Sequence, residues 1–390
     1  MARIIIIGTG FAGVWSAFSA KRLINMSQKE SDIEVFVISP EPTLVIRPRL
    51  YEANASSLTY ALGPIFESAG IKFFRGTVKT IDPEAHTVHV QSASGLESSL
   101  DYDRLVLAAG SSVVRPRGVI GIEQHAFDID SLNPARDTVV VCGAGFTGIE
   151  IVTELPKRLA HIPNHRIVLI DNSEQVGQQL GPGPRPAITQ ALENLGVELK
   201  LGSAVAAIDA DGVVLASGER IETKTAIWTA GVRATPLAQQ VPGPKDGLGR
   251  LHVDQHLRVP SSKDIFATGD AAYASADSDG HYAMMSCQHA IPLGRVSGYN
   301  AAADLLDEPK IAYTQPAYVC CLDLGAHGAV VAEGWEREIK LTGDMAKRVK
   351  YFINQKLIYP PIDPQEALNE AKQVDFNGPQ VLDQILQAVA

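Results

Sequence analysis

After three residues the chain reads IIIIGTGFAG, from Ile4 to Gly13. The four consecutive isoleucines are β-branched and show no polar alternation, which predicts a strand buried on both faces of a parallel sheet. The alanine-rich residues 14–20 then predict a closely packed helix. The glycines between them have GxGxxG spacing, and this motif requires such a strand before it and such a helix after it. The segment therefore predicts a dinucleotide-binding unit rather than an ordinary glycine turn.

Each residue of this first glycine turn has a predicted role. Gly8 permits the tight turn, Gly10 lets a diphosphate approach the backbone, and Gly13 lets the helix pack against the strand. Phe11 and Ala12 open the helix, whose free N–H groups and positive dipole end favour phosphate oxygens. We therefore predict that these five residues contact a dinucleotide.

The composition is that of an ordinary α/β protein. The 390 residues are 45% hydrophobic and 20% charged, which predicts two or three domains with a sizeable core. The net charge of -10 argues against nucleic acid and against an anionic membrane surface as partners. No apolar run is as long as a bilayer span, and the glycine turn interrupts the first apolar run too early for a signal peptide. The four cysteines form no CxxC motif and favour a reducing cytoplasm, and no metal site is predicted.

The end of the second predicted strand, at residues 33–38, departs from the usual pattern. An Asp or Glu usually stands there and binds the adenosine ribose, whereas this chain continues with Ser39, Pro40 and Glu41. Ser39, or Glu41 if the turn brings it back, is the predicted ribose ligand, and Pro40 is expected beside it. The departure concerns the ribose contact and leaves the predicted phosphate site unchanged.

A basic-aromatic segment and a meander follow. Arg47 opens the segment 47–52, for which a solvated surface loop and a loop near a cofactor ring are equally good interpretations. Val78 opens the meander, and the meander ends in Ala109 and Gly110; these three residues and Arg47 are cofactor-binding candidates. The predicted strands of this part are 70–76, 78–82, 86–91 and the run into 105–108.

The same order of elements then recurs. A β-branched strand at 138–141 leads into a second GxGxxG, in CGAGFTGIE, and a second strand at 166–170 ends in Asp171. A further meander, at 205–229, ends in Ala230 and Gly231, as the first ends in Ala-Gly. One series of elements thus occurs twice in tandem, which chance does not explain. The dinucleotide-binding candidates of this second copy are Gly143, Gly145, Phe146, Thr147, Gly148, Glu150, Asp171, Ala230 and Gly231.

Two dinucleotide units in one chain imply two dinucleotides that meet, and the simplest chemistry is hydride transfer from a nicotinamide to a flavin. We expect FAD on the first copy and NAD(P)H on the second. Asp171 would accept bonds from free ribose hydroxyls and repel a 2′-phosphate, and no arginine pair lies beside it, so NADH is favoured. Glu150, one turn into the second helix, is either an acid that the helix dipole favours or a carboxylate facing the nicotinamide; we favour the second interpretation.

With these features the chain resembles the two-dinucleotide-binding-domain flavoproteins of the pyridine nucleotide-disulfide oxidoreductase superfamily, and among them type II NADH dehydrogenases (NADH:quinone oxidoreductases) most closely. The resemblance covers roughly residues 2–355. It rests on GTGFAG, AAG at 108–110, GAGFTGIE, WTAG at 228–231, ATGD at 267–270 and CQHA at 287–290.

The resemblance implies roles for residues outside the glycine turns. Asp270, after Gly269, would bond the FAD ribityl chain, and Ala109 and Gly110 would pass near the FAD. Gln288, with His289 next to it, would lie by the flavin ring. The helix that starts there would point its positive end at the flavin pyrimidine and stabilise the reduced anion. Gln288 and Glu150 are the predicted catalytic residues.

The chain departs from the family in two further places. The quinone-site motif AQxAxQ has Cys287 in place of its first Ala and Pro292 in place of its second Gln. The family's membrane-facing C-terminal helices are not evident, because the tail after Asp363 is acidic. The apolar stripe of this tail is expected to dock on the protein's own body or on a second subunit, and the basic helix at 344–356 is the one competing membrane-binding feature.

The cysteines decide between relatives within the superfamily. A disulfide reductase needs a redox pair beside the flavin, and no cysteine in the first unit provides it. A sulfide:quinone reductase needs two cysteines flanking the flavin; Cys320 or Cys321 would serve as one, whereas Cys142 is a poor second. All four cysteines are therefore interpreted as small buried apolar residues.

The sequence thus predicts an α/β fold with two Rossmann-like domains, the NAD domain inserted in the FAD domain, and a C-terminal α/β region. The expected activity is an FAD-dependent NADH dehydrogenase that passes electrons to a quinone-type acceptor; an NADH-dependent reductase of another acceptor and an NADH-binding redox sensor are the alternatives. Its location is expected to be cytoplasmic, with membrane contact at most peripheral, and a homodimer is left open. The predicted boundaries are 1–112 and 240–315 for the FAD domain, 113–239 for the NAD domain, and 316–390 for the C-terminal region, expected at an interface or on the acceptor side.

Overall fold

A computed structural model describes residues 1–128, 138–374 and 378–389. Residues 129–137, within the predicted NAD domain, and 375–377 and 390, within the predicted C-terminal region, lie outside the described residues. The strands of the described part are β1 (Ala2–Ile7), β2 (Ile33–Ser39), β3 (Thr43–Val45), β4 (Thr59–Ala61), β5 (Lys72–Arg75), β6 (Thr77–Asp82), β7 (Thr87–Gln91), β8 (Glu97–Asp101), β9 (Arg104–Leu107), β10 (Ser111–Val113), β11 (Ala126–Phe127), β12 (Thr138–Cys142), β13 (Arg166–Ile170), β14 (Glu198–Lys200), β15 (Val205–Asp209), β16 (Gly212–Leu215), β17 (Arg220–Glu222), β18 (Thr225–Trp228), β19 (Val232–Ala234), β20 (Leu251–His252), β21 (Ile265–Ala267), β22 (Ala272–Tyr273), β23 (Val319–Asp323), β24 (Ala329–Glu333) and β25 (Glu338–Thr342).

The α-helices of the described part are α1 (Phe11–Met26), α2 (Gly63–Ser68), α3 (Ile122–His125), α4 (Phe146–Arg158), α5 (Arg185–Asn194), α6 (Cys287–Leu306), α7 (Gly343–Phe352), α8 (Pro364–Glu370) and α9 (Gly378–Val389).

The first core is a parallel five-stranded sheet in the order β21-β9-β1-β2-β5. The isoleucines of β1 are buried because the sheet is covered on both faces, and Ile4 and Ile5 lie in different hydrophobic clusters. The run of isoleucines therefore predicted this strand correctly.

Helices α1 and α6 cover one face of this sheet and pack closely against each other. A side chain at Gly294 would come within 2.4 Å of the Ala12 oxygen, and one at Gly298 within 2.1 Å of the Ser16 oxygen. The two glycines, one turn apart on α6, allow this close approach. The contact places the start of α6 beside the first glycine turn.

The second core repeats the first. Its parallel sheet has the order β11-β18-β12-β13-β14, so that β18, β12, β13 and β14 take the places of β9, β1, β2 and β5. The tandem repeat read from the sequence is therefore a repeat of the fold, and the predicted pair of Rossmann-like α/β units is confirmed.

A two-stranded antiparallel ribbon joins the two units. In it β10 pairs with β19, with Ser111 opposite Ala234 and Val113 opposite Val232. The chain passes from the first unit to the second along β10 and returns along β19. The boundaries at 112/113 and 239/240 remain predictions.

The meanders are antiparallel three-stranded sheets, β6-β7-β8 and β15-β16-β17. The prediction of their third strands was wrong, because 105–108 and 225–229 contribute β9 and β18 to the parallel sheets. The true third strands are β8 and β17, which are polar and largely exposed. Their short, polar sequences carry little of the alternation that identifies a strand.

The C-terminal region is a small α/β layer. Strands β23, β24 and β25 form an antiparallel sheet, with α7 and α9 packed beside it. The analysis predicted β23 and β24 as one strand-like stretch and missed β25. Leu382 and Ile385 of α9 are buried with Val331 and Val349, so the tail docks on the protein's own body, as one of the two expectations had it. Among the described helices, none is both long and apolar enough to cross a membrane.

Candidate functional site: two glycine turns and the groove between them

The first glycine turn contains two glycines that the protein itself requires and one that it does not. A Cβ at Gly8 would lie 2.4 Å from the Ala108 oxygen, and one at Gly13 would lie 2.0 Å from the Gly8 oxygen. A Cβ at Gly10 would meet no atom within 4 Å. The fold thus accounts for Gly8 and Gly13 and leaves the backbone at Gly10 open to a bound group. An FAD diphosphate fits this opening.

The start of α1 favours an anion at the same place. Gly10 precedes the helix in extended conformation, no side chain caps the helix, and no acid lies in its first turn. The N–H groups of the first turn are therefore directed at the opening, together with the positive end of the helix dipole. Phe11 and Ala12 belong to this turn, as predicted, and a contact with FAD stays a prediction.

Ser39 lies closer to the first glycine turn than Glu41 does. Ser39 ends β2, and its hydroxyl is 2.9 Å from the Thr9 hydroxyl in the turn. The Glu41 carboxylate instead pairs with Arg75, which also donates to the Pro40 carbonyl at 3.2 Å. Of the two predicted ribose ligands, this geometry favours Ser39.

Arg47, Ser111 and Asp270 form a polar group near the same sheet edge. The Ser111 hydroxyl donates to Asp270 at 2.5 Å, and Arg47 donates to the Ser111 carbonyl at 3.3 Å. Burial raises the pKa of Asp270, although its bond to Ser111 and the charge of Arg47 oppose the increase. Of the two interpretations of segment 47–52, this placement supports the loop near a cofactor.

The backbone next to this polar group is also open. Gly110 and Gly269 adopt φ of +69° and +60°, and a Cβ at Gly110 would meet nothing within 4 Å. Ala109 and Gly110 follow β9, whereas Gly269 follows β21, the strand that pairs with β9 in parallel. Because parallel strands end at one edge, these residues line the same edge as the first turn. Val78 is buried in the core of this unit, and no described hydrogen bond connects its side chain to the site.

Helix α6 begins beside these groups. Ser286 caps it by accepting from the His289 amide at 3.3 Å, and the Gln288 side-chain oxygen accepts from the Val319 amide at 3.4 Å. The His289 ring is fully buried and lies 3.2 Å from the Tyr313 hydroxyl. Burial lowers the pKa of His289 to about 3, with Arg337 acting in the same direction, so the ring is neutral. Its side chain packs under the helix, and only the backbone of this residue is left for the predicted flavin contact.

The second glycine turn has the same division of roles. A Cβ at Gly143 would lie 2.8 Å from the Ala230 nitrogen, and one at Gly148 would lie 1.8 Å from the Gly143 oxygen. A Cβ at Gly145 would meet only the Gln179 side-chain oxygen, at 3.9 Å. The middle glycine is again the open one. Residues 146 and 147 begin α4, which no side chain caps, so that a second diphosphate fits here.

Asp171 lies in the second unit where Ser39 lies in the first. One carboxylate oxygen accepts from the Ala144 amide at 2.6 Å and the other accepts from the Ser173 amide at 2.8 Å. The carboxylate is thus fixed beside the glycine turn, where a ribose would lie. Gly231, with φ of +96°, has open space on its Cβ side, and it follows β18 as Gly110 follows β9.

Glu150 is part of an interdomain group that the sequence analysis did not predict. Its carboxylate lies 2.8 Å from the Lys350 nitrogen and accepts from the Asp323 amide at 3.0 Å. Burial raises the pKa of Glu150 to about 7, and Lys350 opposes this increase. The Asp323 carboxylate in turn accepts from the Tyr51 hydroxyl at 3.0 Å and pairs with Lys347. These residues come from α4, β23, α7 and the segment after Arg47, and no local pattern signals their meeting.

This geometry corrects one expectation. Lys350 belongs to the basic helix that was considered for a membrane surface, but it is 5% exposed and it pairs with Glu150. Its ammonium group also lies 5.2 Å from the Phe146 ring, at the start of α4. The pair therefore brings α7 of the C-terminal region to the second glycine turn.

The cysteines are all free. Cys142, Cys320 and Cys321 are buried and Cys287 is half-buried. Burial raises the pKa of the Cys287 and Cys320 thiols to about 11, so both are protonated at neutral pH. This agrees with their interpretation as small apolar residues.

The comparisons identify the family. The family model of the pyridine nucleotide-disulphide oxidoreductases matches residues 2–294. An NADH dehydrogenase-like protein of Mycobacterium tuberculosis is 42% identical and aligns over 94% of this chain and 96% of its own length. A type II NADH:quinone oxidoreductase of Staphylococcus haemolyticus is 26% identical over 92% of this chain and 95% of its own.

The solved structures agree on the fold. The sulfide:quinone oxidoreductase of Aquifex aeolicus superposes with a TM-score of 0.75 at 17% identity, covering 98% of this chain and 95% of that one. The predicted resemblance and the pairing of FAD with NADH are thereby confirmed. The chain belongs to the pyridine nucleotide-disulphide oxidoreductase family and is an FAD-dependent NADH oxidoreductase.

Proposed function

We propose that this protein is an NADH:quinone oxidoreductase, with FAD at the first glycine turn and NADH at the second. The observation that carries the assignment of two sites is the matched opening at Gly10 and Gly145, the only glycine of each turn that internal packing does not require. The quinone is supported by the name of the 26% identical relative, a type II NADH:quinone oxidoreductase. Bound FAD would supply the redox chemistry, since a flavin takes a hydride from a nicotinamide and gives electrons to quinones.

The protein's own groups bind and orient in this proposal. The first turns of α1 and α4 hold the two diphosphates through backbone N–H groups. Ser39 and Asp171 hold the two adenosine riboses, and the Asp171 carboxylate disfavours the 2′-phosphate of NADPH. The start of α6, with Gln288, presents its positive dipole end to the flavin, where it stabilises negative charge.

The Glu150–Lys350 pair closes the groove between the two sites. Because the pair is buried and links α4 to α7, it fixes the second unit against the C-terminal region and keeps water from the meeting point. With its pKa raised to about 7 by burial, Glu150 also holds or releases a proton at neutral pH. The proposal gives it the role of the titrating group beside the nicotinamide.

We further propose a cytoplasmic location with at most peripheral membrane contact. Four free cysteines suit a reducing compartment. Of the bases of α7, Lys347 and Lys350 pair with Asp323 and Glu150, which reduces the charge available to an anionic surface. The homodimer remains a prediction.

The test is steady-state oxidation of NADH by the purified holoprotein with a panel of acceptors. The proposal expects a short-chain quinone to be reduced without detergent and much faster than oxygen or a dye. Rapid turnover with a protein or dye acceptor, and none with any quinone, would contradict the quinone assignment. A long-lived reduced complex with every acceptor would instead support the redox-sensor alternative.

A further inference from the structure

Arg337 is a buried cation without a carboxylate partner. It lies in the turn between β24 and β25, is 7% exposed, and adopts a φ of +59°. Its guanidinium lies 4.2 Å from the centre of the Tyr318 ring. It donates to the Gly334 carbonyl at 3.1 Å and is 3.3 Å from the Met284 sulfur, a weak acceptor. Within the described ranges no Asp or Glu lies within ion-pair distance, 4.0 Å, of this group.

Such an arrangement is costly unless an anion completes it. A guanidinium has five N–H donors, and the two contacts above use only part of that capacity. The neighbouring acids face elsewhere, since Glu336 is exposed and Glu338 pairs with Lys340 at 3.0 Å. Buried charges in proteins are otherwise paired or hydrogen-bonded throughout. The site therefore calls for a ligand with acidic oxygens.

The position of Arg337 indicates which ligand this is. The turn that carries it packs on the second nucleotide unit, because a Cβ at Gly183 would lie 2.5 Å from the Arg337 oxygen and one at Gly181 would lie 3.4 Å from its Cγ. The loop just before these glycines is bonded to the second glycine turn, where the Gly177 amide donates to the Ala144 oxygen at 2.9 Å. Arg337 thus stands at the end of a short chain of contacts that begins at the glycine turn.

The other side of Arg337 faces the flavin end of the groove. It stacks on Tyr318, and Tyr318 lies next to the His289 ring, whose centre is 5.4 Å away, at the start of α6. A nucleotide that runs from the second glycine turn toward α6 would therefore pass this guanidinium.

We propose that Arg337 binds the diphosphate of the nicotinamide nucleotide, so that the C-terminal hairpin completes the NADH site. The backbone N–H groups at the start of α4 bind the diphosphate from one side, and the guanidinium binds it from the other. An arginine fork matches two phosphate oxygens at once, which a lysine cannot do. The inference rests on the proposed placement of NADH at the second turn, and it assigns the C-terminal region to donor binding in addition to any acceptor role.

The test is calorimetric titration of the oxidised holoprotein with NAD⁺, in the absence of any acceptor. R337Q is expected to weaken binding by about tenfold or more, the loss of a charge-assisted hydrogen bond pair. R337K, which keeps the charge without the fork, is expected to fall in between. K340Q removes a charge from the same hairpin at an exposed, paired position and is expected to bind as wild type does.

A phosphate-free donor separates binding from a general structural effect. Anaerobic reduction by N-benzyl-1,4-dihydronicotinamide is expected to proceed at the same rate in wild type and R337Q. Wild-type NAD⁺ affinity in R337Q and R337K would overturn the proposal, as would equal losses with NAD⁺ and with the phosphate-free donor. Loss of NAD⁺ binding in G145A with none in R337Q would overturn this inference and leave the proposed NADH site intact. If R337Q fails to retain flavin, R337K decides by the same criteria.

Discussion

The Lys350 ammonium lies 2.8 Å from the Glu150 carboxylate, and both side chains are buried. The two residues join helix α4 of the second nucleotide unit to helix α7 of the C-terminal region. Burial raises the pKa of Glu150 to about 7, whereas an exposed glutamate titrates near 4.5. A carboxyl group at the meeting point of the two nucleotide sites therefore changes charge near neutral pH.

We expect this titration to appear in the stability of the protein. Because the folded pKa of Glu150 lies above its unfolded value, the folded state favours the protonated carboxyl group. Its contribution is fully present below about pH 4.5 and is lost as the pH rises through about 7. Urea unfolding across this range should show the stability of wild type falling relative to Glu150→Gln, which cannot ionise.

The double variant Glu150→Gln/Lys350→Met is the control, since it removes the carboxyl group without leaving an unpaired buried ammonium. It should show the same weak pH dependence as other neutral replacements. A stability difference between wild type and Glu150→Gln that does not change between pH 4.5 and 7 would refute the assigned titration.

The glycine turns predict a clear separation of folding from binding. Gly10→Ala should leave the melting temperature of the apoprotein close to that of wild type and abolish FAD retention, since the added methyl group occupies only the open space. Gly8→Ala, at φ +112° and with a contact of 2.4 Å, should instead destabilise the fold by more than about 1 kcal/mol. Flavin absorbance after gel filtration and thermal unfolding measure the two effects.

The same change in the second turn is the matched comparison. Gly145→Ala should retain FAD and lose NAD⁺ affinity. Loss of FAD from Gly145→Ala, with full retention by Gly10→Ala, would show that the two sites have been assigned the wrong way round.

Asp171 should control the choice between NADH and NADPH. Its carboxylate is fixed by the Ala144 and Ser173 amides, so its charge is held beside the expected ribose. Asp171→Asn should raise the kcat/KM for NADPH relative to that for NADH by about tenfold, through loss of one repulsion. Ser39→Ala, at the corresponding position of the first unit, should leave the ratio unchanged. Equal use of both nucleotides by wild type would disprove the role of Asp171.

Helix α9 should stabilise the body of the protein. Leu382→Ala removes a buried side chain from the cluster with Val331 and Val349 and should cost about 2–4 kcal/mol of unfolding free energy. Val374→Ala, at a position that is 63% exposed, should cost little. Equal, small effects of the two substitutions on denaturant unfolding would show that the tail does not dock as described.

Local patterns predicted most of the fold. The isoleucines of β1 and the valines of β12 marked the central strands of the two sheets, and the glycine turns after them marked the two sites. Strands β8 and β17 were missed because short polar strands at an exposed edge show little alternation. Pro292 was read as a departure from a motif, and it lies inside α6, which continues through it.

The site was harder to predict where it depends on distant segments. Glu150, Asp323 and Lys350 meet only because α7 and β23 pack on α4, and nothing in the sequence around Lys350 distinguishes it from the surface lysine Lys347. Arg337 follows a turn with no recognisable motif. Contacts of this kind depend on the packing of whole layers and carry no local signal.

The most direct test of the whole account is one anaerobic experiment with two additions. NADH is added to the purified yellow holoprotein, and a short-chain quinone is added next, while the flavin absorbance is followed by stopped flow. We expect NADH to remove the flavin band within milliseconds to seconds, on the timescale of ordinary enzyme turnover, and the quinone to restore it equally fast. A flavin band that NADH leaves unchanged, or one that stays lost after the quinone is added, would contradict the proposed transfer of electrons from NADH to a quinone.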